Sequence, residues 1–162
     1  MLAAVFPVLE KLRADGIEFV VIGGVAVVVH GVVRTTKDVD IVPEPTVDNL
    51  VALGNCLVSL DARSTSRPDL PFGPNHHDAL LKGKSMTLST SLGDLDVVQR
   101  LAGVPPYAVL ADDALAVTLP SGTAVKVTSL AHLRTMKLSA GRPQDLVDLE
   151  DLNAVRNNFG AG

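Results

Sequence analysis

Apolar positions recur at helical spacing from Leu2 through Leu12, and Gly16 stands where such a helix would stop. Residues 17–22 (IEFVVI) are β-branched and aromatic, the pattern of a buried strand, and run straight into Gly23-Gly24. Val25 to Val32 is almost wholly apolar and fits strand or helix. After the polar break at 34–37, DVDIV (38–42) alternates carboxylate and aliphatic residues with the period of a strand, and Pro43 and Pro45 close it. Thr46 is placed to cap a helix carrying Val47, Leu50, Val51, Leu53, Leu57 and Leu60. The stretch 62–77, rich in Ser, Arg, Pro and Gly, predicts a long loop. Residues 86–91 and 95–99 predict two strands joined near Gly93, and 115–128 a hairpin turning at Pro120-Ser121-Gly122. Two helices, 129–140 and 143–157, close the chain, with Gly141-Arg142 between them and Pro143 at a first helical position. The pattern has no internal repeat and predicts one α+β domain over residues 1–162, a mixed β-sheet flanked by helices.

Composition narrows the function classes. With 162 residues, 47% of them hydrophobic, the chain can bury a core without disulfides or a structural metal, and Cys56 is its only cysteine, as expected in a reducing compartment. The longest uncharged stretch, Phe19 to Val33, is shorter than the about 20 apolar residues that a membrane helix needs, and the N-terminus does not read as a signal peptide. A cytoplasmic protein without a membrane partner is expected. Fourteen basic against 18 acidic side chains give a net charge of −4, which argues against a strongly cationic nucleic-acid binder.

The chemistry concentrates around DVDIV. Period-two alternation points Asp38 and Asp40 to one face while Val39 and Ile41 pack on the other. Like charges this close raise each other's pKa unless a cation neutralises them, and Mg²⁺ suits an all-oxygen pair. A single Asp-x-Asp is more often a solvated strand face. Gly23-Gly24, at the end of the preceding strand, adds a bend where backbone can approach a phosphate.

These residues carry a resemblance. VIGGVAVVVHGVVRTTKDVDIV resembles the opening motif of the DNA polymerase β-type nucleotidyltransferase superfamily, matched by Ile22 or Gly23, then Gly24, a gap, and Asp38, Val39, Asp40 and Ile41. His30-Gly31, Arg34 and Thr36 further resemble its AbiEii-like branch, which includes the toxins of type IV toxin–antitoxin pairs. The resemblance implies a nucleotidyltransferase fold and a Mg²⁺ site of Asp38, Asp40 and a third carboxylate on a later strand. Asp96 in GDLDVV is the best match, and Asp94 its rival. Two Mg²⁺ ions and a nucleoside triphosphate such as ATP are the implied cofactor and substrate, and nucleotidyl transfer to an acceptor hydroxyl the implied reaction. Asp96 would also be suited to accept the hydroxyl proton.

LRTMKLSAGRPQDLVDLEDL resembles the family's ending, in which a helix Lys and a following Arg-x-x-Asp recur near the nucleotide; Lys137 and Asp145 occupy those positions. From the residues alone, Lys137 leaves the packed helix face and either reaches a phosphate or snorkels, and Asp145 either serves the site or caps its helix. Arg34 and Lys37 temper the carboxylates, contact triphosphate, or are solvated. Asp148 and Asp151 read as an exposed acidic edge, His30 and His132 as structural, and His76-His77 as too few ligands for a closed metal site. The AbiEii-like branch implies a tRNA 3′ end as acceptor and a cognate antitoxin as partner, for which Arg63, Arg67, Lys82 and Lys84 would have to line one basic face. Two rivals stand beside it: an aminoglycoside-type adenylyltransferase, and a catalytically silent binding module of the same fold.

Overall fold

In the computed structural model, which describes residues 2–159, helices alternate with strands along the chain. The first half runs α1 (Phe6–Ala14), β1 (Phe19–Ile22), α2 (Gly23–Val29), β2 (Asp38–Pro43), α3 (Val47–Ser59), β3 (Arg63–Ser64) and α4 (Pro74–Leu81). The second runs β4 (Met86–Thr90), β5 (Gly93–Val97), α5 (Tyr107–Asp112), β6 (Leu115–Thr118), β7 (Ala124–Val127), α6 (Leu130–Ala140) and α7 (Pro143–Phe159). The seven strands form one mixed sheet in the order β3-β4-β5-β2-β1-β7-β6. β2 runs antiparallel to β1 and parallel to β5, and β1 runs parallel to β7.

Strand alternation divides the core. Phe19, Val21, Val39, Ile41 and Leu95 face one side, where Leu9 and Leu12 of α1 and Leu53 and Leu57 of α3 cover them. Val20, Ile22 and Val42 face the other, covered by Leu110 of α5 and Met136 of α6. That second cover is partial. Past the end of Val42's row the same face carries Asp40 and Asp38, so the sheet supplies an open carboxylate surface beside a small apolar cluster.

Capping chemistry fixes the helix starts. Thr46 Oγ1 accepts the Asn49 N–H at 3.3 Å and Ser129 Oγ accepts that of His132 at 3.2 Å, while Gly141 ends α6 at φ 61°. Among the described residues, no helix is long and apolar enough to cross a membrane.

Three expectations change. The first helix begins at Phe6 rather than Leu2, with Pro7 in its first turn. The expected loop at 62–77 contains β3 and the start of α4: His76 Nδ1 accepts the Gly73 N–H at 3.0 Å, and buried Phe72 stacks on the His76 ring. His77 meets the Phe72 ring edge-on, so both histidines are structural. Helix α5 lies where no element was expected; a six-residue segment behind Pro105-Pro106 is too short for periodicity to reveal, and only Leu110 is fully buried. The open question at Val25–Val32 resolves as helix over 23–29.

Candidate active site

The parallel register of β2 and β5 sets Asp38 beside Asp94 and Asp40 beside Asp96. Strands in such a pair lie about 4.8 Å apart, so four carboxylates project from one face in two adjacent rows. Asp38, Asp40 and Asp96 line a cleft of ≈ 920 Å³; Asp94, exposed at the start of β5, does not.

Burial and repulsion act on this group together. The Asp40 carboxyl is pushed up to about 7, first by burial and then by its hydrogen bond and charge contact with Asp96, with Asp38 adding and Lys137 opposing. Asp38 is raised as well, by burial and by Asp94 and Asp96, with Lys37 pulling the other way. A divalent cation would relieve the repulsion between Asp40 and Asp96, whose oxygens are the hard donors that Mg²⁺ prefers. Among the described residues no three His, Cys, Asp or Glu side chains already converge on one point, so the donors form an open array rather than a closed cage.

The glycine bend touches this array. Gly23 has φ +66°, and a Cβ there would overlap Asp40 Oδ2. Gly24 is buried, and a Cβ on it would lie 2.7 Å from Arg34 Nη2 and 2.9 Å from Thr36 Oγ1. Both glycines therefore admit side chains of the site into space that any other residue would occupy.

The opposite wall of the cleft is basic. Lys137 on α6 does not project freely; it is buried, with Nζ 3.1 Å from Asp145 Oδ1 and 2.9 Å from Asp148 Oδ2. Arg142 Nε lies 2.7 Å from Asp145 Oδ2, and its backbone N–H donates to the same oxygen at 3.1 Å, so Asp145 both caps α7 and anchors two cations. Burial raises the Asp145 carboxyl, but hydrogen bonds from Arg142 and Lys137 outweigh it and hold the group below its ordinary value. Asp145→Asn should lower stability by about 1–3 kcal/mol at pH 7, chiefly because it leaves the buried Lys137 ammonium underpaired. A group with a depressed pKa contributes stability above its unfolded value of 3.8 and loses it as pH falls through the folded value. Thermal melts of the two proteins should therefore differ at pH 7 and converge as the pH drops below that value.

Asp148 corrects the expectation of an exposed acidic edge: it is fully buried, accepting from Gln144 at 2.9 Å and pairing with Arg34 as well as Lys137. The signal was available, because residues 145, 148 and 152 share one helical stripe and Leu152 is also buried. Asp151 is exposed as expected. His30 bonds to the Thr128 carbonyl oxygen at 2.8 Å and His132 to Asp113 at 2.7 Å, and neither histidine lines the cleft. Lys37 is exposed at the rim.

No curated protein matches the chain. Residues 1–51 match a family described as a nucleotidyl transferase of unknown function, DUF2204; the matched segment carries Gly23, Gly24, Asp38 and Asp40 and stops short of Asp96. Among solved structures, the chain is similar to the antibiotic-resistance factor ANT(2'')-Ia at TM-score 0.59 and 13% identity, over 99% of this chain and 84% of that one. It is also similar to TM1012 from Thermotoga maritima, described as a nucleotidyltransferase, at TM-score 0.55 and 16% identity, over 99% and 93%. The fold is that of the nucleotidyltransferases. Within this nucleotidyltransferase fold, the cleft joins the carboxylates of β2 and β5, the glycine bend between β1 and α2, and the basic wall from α6 and α7.

Proposed function

We propose that the chain transfers a nucleoside monophosphate from a nucleoside triphosphate to a hydroxyl of a small cationic acceptor, with Mg²⁺ held by Asp38, Asp40 and Asp96. The observation that carries this reading is the placement of those three carboxylates on adjacent strands, facing Arg34, Lys137 and Arg142 across one cleft. A polyphosphate with its counter-ions is a ligand that needs both walls. Bound at the carboxylates, Mg²⁺ would neutralise charge on the triphosphate and on the departing pyrophosphate. The basic wall orients the phosphates, and the missing side chain of Gly24 makes room for the Arg34 guanidinium at the cleft. Asp96 accepts the proton of the attacking hydroxyl, its carboxylate lying at the cleft floor beside Asp40.

Roles follow from position. Asp96→Asn should lower kcat at least about a hundredfold, whereas Asp94→Asn, at the strand start outside the cleft lining, should change it less than about threefold. Steady-state rates of the two variants decide between them; a larger loss from Asp94→Asn would reverse the assignment.

The acceptor is argued from the cleft walls. Among the described residues that line it none is aromatic, whereas single-stranded nucleic acids are commonly gripped by stacking on aromatic rings. Arg63, Arg67 and Lys82 pair with Asp61, Asp69 and Asp78, so most of the basic face needed for a tRNA is neutralised locally. With a net charge of −4 and carboxylates at the floor, a small cationic polyol suits the site better. The similarity to an antibiotic-resistance factor is consistent with that choice. Incubation with Mg²⁺ and each labelled nucleoside triphosphate, with aminoglycosides or with total RNA, is the test. Label on the aminoglycoside supports the proposal. Label on RNA would replace it with the toxin-type reading and its cognate antitoxin, and no incorporation with any acceptor would favour a silent binding module.

A further inference from the structure

Arg34 belongs to the segment 31–37, which has neither helix nor strand to hold it, yet its guanidinium lies against Gly24 at the cleft. A long side chain on an irregular segment keeps one position only if something fixes its far end, because ordering it costs up to about 2 kcal/mol of rotamer entropy. The fixing group is Asp148. Its Oδ1 lies 3.2 Å from Arg34 Nε and its Oδ2 3.4 Å from Nη2. The same Oδ2 is 2.9 Å from Lys137 Nζ. Asp148 thus stands between two cations that would otherwise repel each other, and Gln144 Nε2 donates to its Oδ1 at 2.9 Å. Arg34 and Lys137 line the cleft and Asp148 does not. Its side chain is 0% exposed, so it has no direct route to a ligand.

We infer that Asp148 is a positioning residue for triphosphate binding: from outside the cleft it locks Arg34 over Gly24 and Lys137 beside it, so that both cations meet the phosphates pre-aligned. The inference rests on the proposed function for the identity of the ligand but not for the locking itself. Arg34, Lys137 and Arg142 against Asp145 and Asp148 leave one net positive charge on this wall, which suits an anion without crowding three bare cations. Asp148 sets where that charge sits. Removing it frees Arg34 to follow its segment, and the Gly24 backbone loses its guanidinium neighbour.

The test uses full-length protein with inorganic tripolyphosphate and Mg²⁺ as a probe that carries no base. Asp148→Asn and Arg34→Gln should each weaken tripolyphosphate binding about tenfold, and the double variant no more than either alone. KM for the nucleoside triphosphate should rise by the same factor, with kcat changed less than threefold. Binding within twofold of wild type in Asp148→Asn, or single effects that multiply in the double variant, would overturn the inference. In the ligand-free protein, the Arg34 Nη2–H NMR resonance should be protected from exchange in wild type and lose that protection in Asp148→Asn. Should Asp148→Asn not fold, the wild-type resonance decides: rapid exchange there overturns the locking. Absence of tripolyphosphate binding by wild type, with Arg34 still protected, would count against the proposed function and leave the locking intact.

Discussion

Asp40→Asn is expected to abolish turnover, with kcat/KM falling at least about a thousandfold, equivalent to about 4 kcal/mol of transition-state stabilisation. The amide matches the carboxylate in shape but carries no charge for a cation, and it sits at the centre of the array, in register with Asp96 and two residues along β2 from Asp38. The fold should tolerate the change. Burial and Asp96 already push the Asp40 carboxyl up to about 7, so the ligand-free protein loses stability as pH rises from the ordinary value of 3.8 towards that value, and the full cost stands above it. Asparagine removes that cost, and the thermal midpoint of the variant at pH 8 should equal or exceed that of wild type. Radiolabel transfer and thermal melts on the same preparation check both halves; near-normal transfer would remove Asp40 from the metal site.

Gly23→Ala should have an effect nearly as large on activity by a different route. At φ +66° any side chain costs roughly 1–2 kcal/mol of backbone strain, and a Cβ there would also lie 2.8 Å from Asp40 Cγ. Asp40 must shift, and a displacement of about 1 Å in a reacting constellation costs about a hundredfold in rate. Gly16 offers the control, since its φ is +77° but a Cβ would meet nothing within 4 Å. Gly16→Ala should therefore lose comparable stability with unchanged kcat. Equal activity losses in both variants would mean that general destabilisation, and not the contact with Asp40, is responsible.

Much of this arrangement was legible in the chain because the relevant signals are local. Alternation alone placed Asp38 and Asp40 on one face, and Thr46 and Gly141 marked helix ends that the structure keeps. What escaped depended on contacts distant in sequence. No local pattern says that β5 pairs with β2 in the register that puts Asp96 beside Asp40, so Asp96 was preferred on its match to the motif and Asp94, on the same face, remained its rival. Asp148 looked like a solvated charge because its partners, Arg34 and Lys137, lie on other elements, although its stripe with Leu152 pointed inward. Lys137 was recognised but not its burial, which follows from two carboxylates meeting it from α7. The start of α4 was hidden by a composition typical of loops, while the ring of Phe72 and the side chain of His76 organise it through packing and a cap.

The central claim is that Asp38, Asp40 and Asp96 together bind divalent cations with a nucleoside triphosphate. Anomalous diffraction from crystals soaked with Mn²⁺ and a non-hydrolysable triphosphate analogue addresses it directly. The account predicts manganese peaks within coordination distance of all three carboxylates and phosphates against Arg34 and Lys137; manganese bound elsewhere, or an analogue lying away from these residues, would contradict it.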